Sequence, residues 1–139
     1  MVPEMNGENW PVVQVRIARP TDQLEKVTAF YAQGLGLKIL GSFEAHEGYN
    51  GVMLGLPGFP YHLEFTSHEH GSPCPAPTKD NLLVLYMPDS NAINAIENRL
   101  KSMGYFTVTP ENPYWLAKGL TFEDPDGWRV VLMQTPGIS

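Results

Sequence analysis

A chain of 139 residues has room for one sizeable core, which excludes two large domains. With 42% hydrophobic and 17% charged residues the composition is globular. Nine basic residues against fifteen acidic ones leave a net charge of −6, the wrong sign for binding nucleic-acid phosphates. No apolar run approaches the roughly 20 residues that span a bilayer, and the opening Met1-Val2-Pro3-Glu4 lacks the basic-then-apolar pattern of a signal peptide. The expectation is a cytoplasmic protein with no nucleic-acid partner and no membrane partner. The single cysteine, Cys74, cannot form an internal disulfide, and its flanks Pro73 and Pro75 place it in a loop.

The chain opens on Val12-Val13-Gln14-Val15-Arg16-Ile17, whose alternation predicts a strand with two unlike faces. Thr21-Asp22 with Glu25 has the form of a helix cap, and Leu24, Val27 and Tyr31 follow at helical spacing until Gly34. Leu37 to Leu40, Val52 to Leu54 and His62 to Phe65 read as three strands divided by turn residues. Gly71 to Lys79, with Pro73, Pro75 and Pro77, lacks periodicity and reads as a linker. The pattern then restarts. Leu82 to Met87 is a strand. Asp89 or Ser90 caps a helix carrying Ile93, Ile96, Leu100 and Met103 on one face, and Gly104 ends it. Tyr105 to Thr109, Leu120 to Glu123 and Trp128 to Met133 complete the series, the last two joined at Asp124-Pro125-Asp126-Gly127.

Ile17 and Met87 lie 70 residues apart, as do Gly34 and Gly104, so the βαβββ order occurs twice. The expected fold is α+β: one domain over 1–139, with a first module at about 11–67, a linker at about 68–80 and a second module at about 81–135. The two modules form a curved mixed sheet around a shared cleft, with helices outside. The repeated order, Phe30-Tyr31 before Leu35-Gly36-Leu37, and Phe122-Glu123-Asp124-Pro125-Asp126-Gly127 entering the last strand resemble the vicinal oxygen chelate superfamily. That superfamily holds glyoxalase I, extradiol dioxygenases, fosfomycin-resistance transferases and bleomycin-resistance binding proteins.

The resemblance implies a metal ligand on each of four strands. Gln14 and Glu64 fall at the first two positions, whereas Leu82 stands where the family has His and Val131 where it has the final Glu. Two donors, one of them an amide, are a poor set for a divalent ion, so no metal cofactor is expected; a divalent metal at Gln14 and Glu64 is the alternative. His68 and His70 read as solvated loop residues beside the linker, and His46 as a surface residue near a hairpin.

Strand alternation puts Arg16, His62 and Thr66 on the same cleft face as Gln14 and Glu64, and Val15, Ile17, Leu63 and Phe65 on the helix side. By the same parity Leu82, Val84 and Tyr86 line the cleft from the fifth strand, and Arg129, Val131 and Met133 from the eighth. Apolar walls with a few polar groups suit a small molecule. A guanidinium on an inner sheet face needs an anion, so Arg16 either pairs with Glu64 or holds an anionic ligand. Tyr114 and Trp115 lie in a loop between Pro110 and the seventh strand, placed either to stack on a ligand or to pack in the core or a dimer contact. The expected function is therefore metal-free binding of an amphipathic or anionic small molecule, of the bleomycin-resistance type. The alternative is a metal-dependent glyoxalase, dioxygenase or transferase. The resemblance also implies a homodimer.

Overall fold

In a computed structural model, which describes residues 10–138, two successive modules each wrap a sheet around a helix. The first runs β1 (Val15–Pro20), α1 (Leu24–Ala29) continued by a wider turn over Phe30–Gly34, β2 (Lys38–His46), β3 (Tyr49–Gly55) and β4 (Tyr61–His68). The second runs β5 (Leu82–Tyr86), α2 (Ser90–Ser102), a single 3-10 turn at Pro113–Trp115, β6 (Gly119–Glu123) and β7 (Arg129–Met133). Sheet order is β1-β4-β3-β2 in the first and β5-β7-β6 in the second. In each module the first strand pairs parallel to the last, and the remaining pairs are antiparallel. Within the chain the two sheets share no hydrogen-bonded strand pair among the described residues, and β1 and β5 are both free edges.

Register sets the faces. Ile17 is opposite Leu63 and Leu83 opposite Val130, so odd positions of β4 and even positions of β7 turn inward. Val27, Phe30, Leu54, Leu100, Phe122, Val130 and Leu132 are wholly buried in one core shared by both modules. The helical layers meet where Gly34 lies against Leu100; a Cβ at Gly34 would sit 2.5 Å from Leu100 Cδ2, so only glycine permits this approach. Arg99 Nε closes the same contact by donating to the Gly34 carbonyl at 3.2 Å. α2 is capped as its sequence predicts, with Asp89 accepting from the Asn91 amide at 2.8 Å and Gly104 at φ 93° just past its end.

Four local readings change. β1 starts at Val15 rather than Val12, leaving Gln14 outside the strand. Thr21 does not cap α1: its hydroxyl accepts from the Gln23 amide and donates to Asp126, so the helix starts at Leu24 without a side-chain cap. Tyr105 to Thr109 is not a strand, since a single bridge from Val108 to Thr121 is all the pairing it makes. The Thr109 carbonyl instead accepts from Arg129, and Pro110 has no N–H with which to continue the ladder. Val15 and Ile17 stand on the helix side by register, but α1 lies over β3 and β4 and leaves them 40% and 55% exposed at the sheet edge. No described helix is long and apolar enough to cross a membrane.

Candidate functional site

On the face of the first sheet opposite the one that carries Leu63 and Phe65, the parallel pairing of β1 with β4 sets Arg16 beside His62. Arg16 Nε donates to His62 Nε2 at 2.8 Å, and Nη1 donates to Glu64 Oε2 at 3.2 Å. His62 is 5% exposed, and its Nδ1 is buried without a hydrogen-bond partner among the described residues. The Arg16 side chain is 48% exposed and that of Glu64 14%. Gln14 is exposed and precedes the strand, outside this trio.

The second sheet presents a different surface. Arg129 is buried, donating to Glu123 Oε2 at 3.1 Å and to the Thr109 carbonyl at 3.0 Å, so its charge is matched within the module. Val131 and Met133, on the same face, are also buried. Tyr86, at the end of the edge strand, is half exposed. Tyr114 and Trp115 form the 3-10 turn, capped by the Asn112 side chain, their rings edge to face at 4.9 Å. The Trp115 carbonyl lies over Gly119, where a Cβ would collide with it.

The described residues line cavities at two places on the surface. One of about 830 Å³ lies between α1 and the β2–β3 hairpin, with Thr28, Gln33, Ser42 and Asn50 in its wall. The other, of about 430 Å³, lies between the modules, where Leu37, Leu56 and Phe59 face Val84 and Tyr86. Of the predicted site residues, Tyr86 lines the second cavity and none lines the first. The chain thus brings Arg16, His62 and Glu64 together but does not bring them into one cavity with Tyr86 or Arg129.

Sequence reasoning passed over the strongest polar cluster. Arg19 donates to both Asp124 and Asp126, and it stacks on Phe65 and Trp128 at 4.8 and 5.1 Å. Tyr31 donates to Asp124 Oδ2 at 2.8 Å; Thr21 and Gln23 donate to Asp126 at 2.6 and 2.8 Å. Asp124 Oδ1 accepts from the Asp126 and Trp128 amides, which shapes the Asp-Pro-Asp-Gly turn. Burial raises the Asp124 carboxyl above its ordinary pKa even against Arg19. At Asp126 burial is outweighed by the bonds from Thr21, Arg19 and Gln23, and the pKa is lowered. Burial and the adjoining Asp124 push the Tyr31 phenol well above its usual range. This clasp ties the first module to the last turn of the second. Its one legible sign is an arginine on the inward parity of β1, which demands a buried anion.

The fold class raises the question of a divalent metal. Leu82 and Val131 offer no donor atom, Glu64 already accepts from a guanidinium, and Gln14 lies outside the strand. Among the described residues no group of three or more His, Cys, Asp or Glu is placed to hold a metal ion. The residues do not fit the metal.

Two successive modules, the first βαβββ and the second short of one strand, each with parallel first and last strands, place the chain in the vicinal oxygen chelate fold. The leaner detail comes from sequence: models for YycE-like N-terminal and C-terminal domains match residues 15–66 and 80–134. An uncharacterized YycE protein of Bacillus subtilis is 53% identical over 131 residues, 94% of each chain. The chain belongs to the YycE-like family. The crystal structure of a Bacillus subtilis YycE protein of unknown function matches with TM-score 0.89 at 52% identity, over 97% of this chain and 98% of that one. The glyoxalase I of Leishmania major matches with TM-score 0.68 at 16% identity, over 90% of this chain and 86% of that one. TnmS3, an antibiotic-binding protein from Streptomyces sp. CB03234, matches with TM-score 0.61 at 24% identity, over 90% and 96%. At such identities the last two show the fold alone.

Proposed function

We propose that the protein is a metal-free, cytoplasmic small-molecule binder of the bleomycin-resistance type, taking an amphipathic or anionic ligand against the face that carries Arg16, His62 and Glu64. The observation that carries this reading is the replacement of metal donors by Leu82 and Val131, together with a guanidinium 3.2 Å from the remaining carboxylate. The antibiotic-binding role of TnmS3 on the same fold is in keeping with it. Gln14, Tyr86, Tyr114, Trp115 and Arg129 complete the proposed site. Since one chain leaves these groups apart from the trio, the cleft is closed by a second copy, and the working form is a homodimer. The free edges of β1 and β5, with Val15, Ile17 and Tyr86 exposed along them, support a partner there.

The test is the melting temperature with chelator, then with Zn²⁺, Ni²⁺, Mn²⁺ and Fe²⁺, then with a panel of amphipathic small molecules, because a ligand of the native state raises stability by mass action. The expected result is no shift with any metal and a rise with members of the panel. A rise with one metal that Glu64→Ala abolishes would replace this reading by the metal-dependent enzyme. Light scattering is expected to give the mass of a dimer; a monomeric mass removes the shared cleft.

A further inference from the structure

Arginine has five N–H donors in a planar fork. At Arg16 one is spent on His62 Nε2 and one on Glu64 Oε2, so three, including both on Nη2, have no partner among the described residues. The Glu64 contact, at 3.2 Å, is longer than the roughly 2.7–2.9 Å of a charge-assisted bond, and the side chain is 48% exposed. The ion pair therefore leaves the guanidinium unsaturated and open to solvent. His62 faces the opposite problem. Because its Nε2 accepts from Arg16, the neutral ring carries its proton on Nδ1, and that atom is buried with no partner among the described residues. A buried orphaned donor is costly. Here it is tolerated in a ring whose other nitrogen fixes the direction of an exposed cation.

We infer that the guanidinium of Arg16 is the cation of this site and that its free N–H groups bind an oxyanion of the ligand, a carboxylate or a phosphate. His62 is a positioning residue that aims the fork, and Glu64 steadies it from the other side. The inference rests on the small-molecule reading above and narrows it to anionic ligands. Bidentate recognition of such groups is what the planar fork supplies and an ammonium does not.

The experiment titrates 4-phenylbutyrate, its uncharged amide and phenyl phosphate into the full chain while following the Arg16 Nε–H resonance by NMR. At least one of the two anions is expected to move that resonance and to bind about tenfold or more tightly than the amide, the loss expected for one charged hydrogen bond. Which anion wins separates the carboxylate from the phosphate. Arg16→Gln should erase the preference. His62→Gln, whose side-chain oxygen can still accept from Nε, should keep it, and His62→Leu should lose it. Equal binding of amide and anions, unchanged by Arg16→Gln, overturns the oxyanion subsite while the cleft reading stands. An Arg16 resonance unmoved by either anion also overturns it. An anion that moves Arg16 while no uncharged amphipathic molecule binds leaves the subsite intact and brings down the wider cleft reading.

Discussion

Arg16 and Arg19 sit three residues apart on β1 and point to opposite faces, and the contrast shows what burial does to one side chain. Arg19, whose side chain is 13% exposed, has two carboxylates and two aromatic faces beside it. Burial alone would lower its pKa, but Asp124 and Asp126 more than offset this and raise it. Arg16 has one long contact to a carboxylate, one to a neutral ring, and an open side. A buried cation held between two carboxylates is architecture; a half-exposed one with a single long contact to a carboxylate is available to a ligand.

The sharpest way to break this contrast is Arg19→Ala, which strands Asp124 in the core beside Tyr31. We expect about 3–5 kcal/mol of destabilisation in urea unfolding, the usual cost of leaving a buried charge unpaired. Tyr31→Phe removes the phenol that donates to Asp124 and is expected to cost about 1–3 kcal/mol. The raised phenol also sets an alkaline limb. Stability linked to Tyr31 is complete below the ordinary phenol pKa of 10.0 and is lost as pH rises through the higher folded value. Thermal melts at stepped alkaline pH should fall less steeply in Tyr31→Phe than in the native chain.

Asp126→Asn should cost about 1–2 kcal/mol at neutral pH, since the lowered pKa reports carboxylate-specific bonds. That contribution is complete above the ordinary pKa of 3.8 and is lost as pH falls through the lower folded value, so the difference from the native chain should shrink in strong acid. Asp124, whose pKa is raised, does not produce this acid limb. The smallest effect belongs to Arg16→Gln: below about 1 kcal/mol in stability, measured by the same urea titration, because the pair is half exposed and screened. A loss as large as that of Arg19→Ala would mean that Arg16 holds the fold together and is not held in reserve for a ligand.

Local signals carried most of the fold. The α2 face, its Asp89 cap and the Gly104 stop were legible because each depends on neighbours within a few residues. The repeat was legible for the same reason, applied twice. The segment 105–109 misled because alternation cannot tell whether a partner strand offers more than one bond, and here the Thr109 carbonyl is taken by Arg129. At the site, parity alone put Arg16, His62 and Glu64 on one face. It could not show that His62 is the closer partner of Arg16, or that Arg129 is matched within its own module. The clasp stayed hidden because Arg19 and Asp124 are more than a hundred positions apart, and only the docking of the modules sets that pairing.

The linker shares in that docking. Trp128 Nε1 donates to the Cys74 carbonyl at 2.8 Å, and the Ala76 amide donates to the Asp126 carbonyl at 3.2 Å. The joint between the halves is thus fastened to the turn at the heart of the clasp. A flexible tether confers an effective concentration of order millimolar, so severing the chain near residue 78 would forfeit about 4 kcal/mol of association, as much as is expected for Arg19→Ala. The contacts through which the halves meet, Arg19 with its carboxylates and the linker with the same turn, thus converge on one place in the chain.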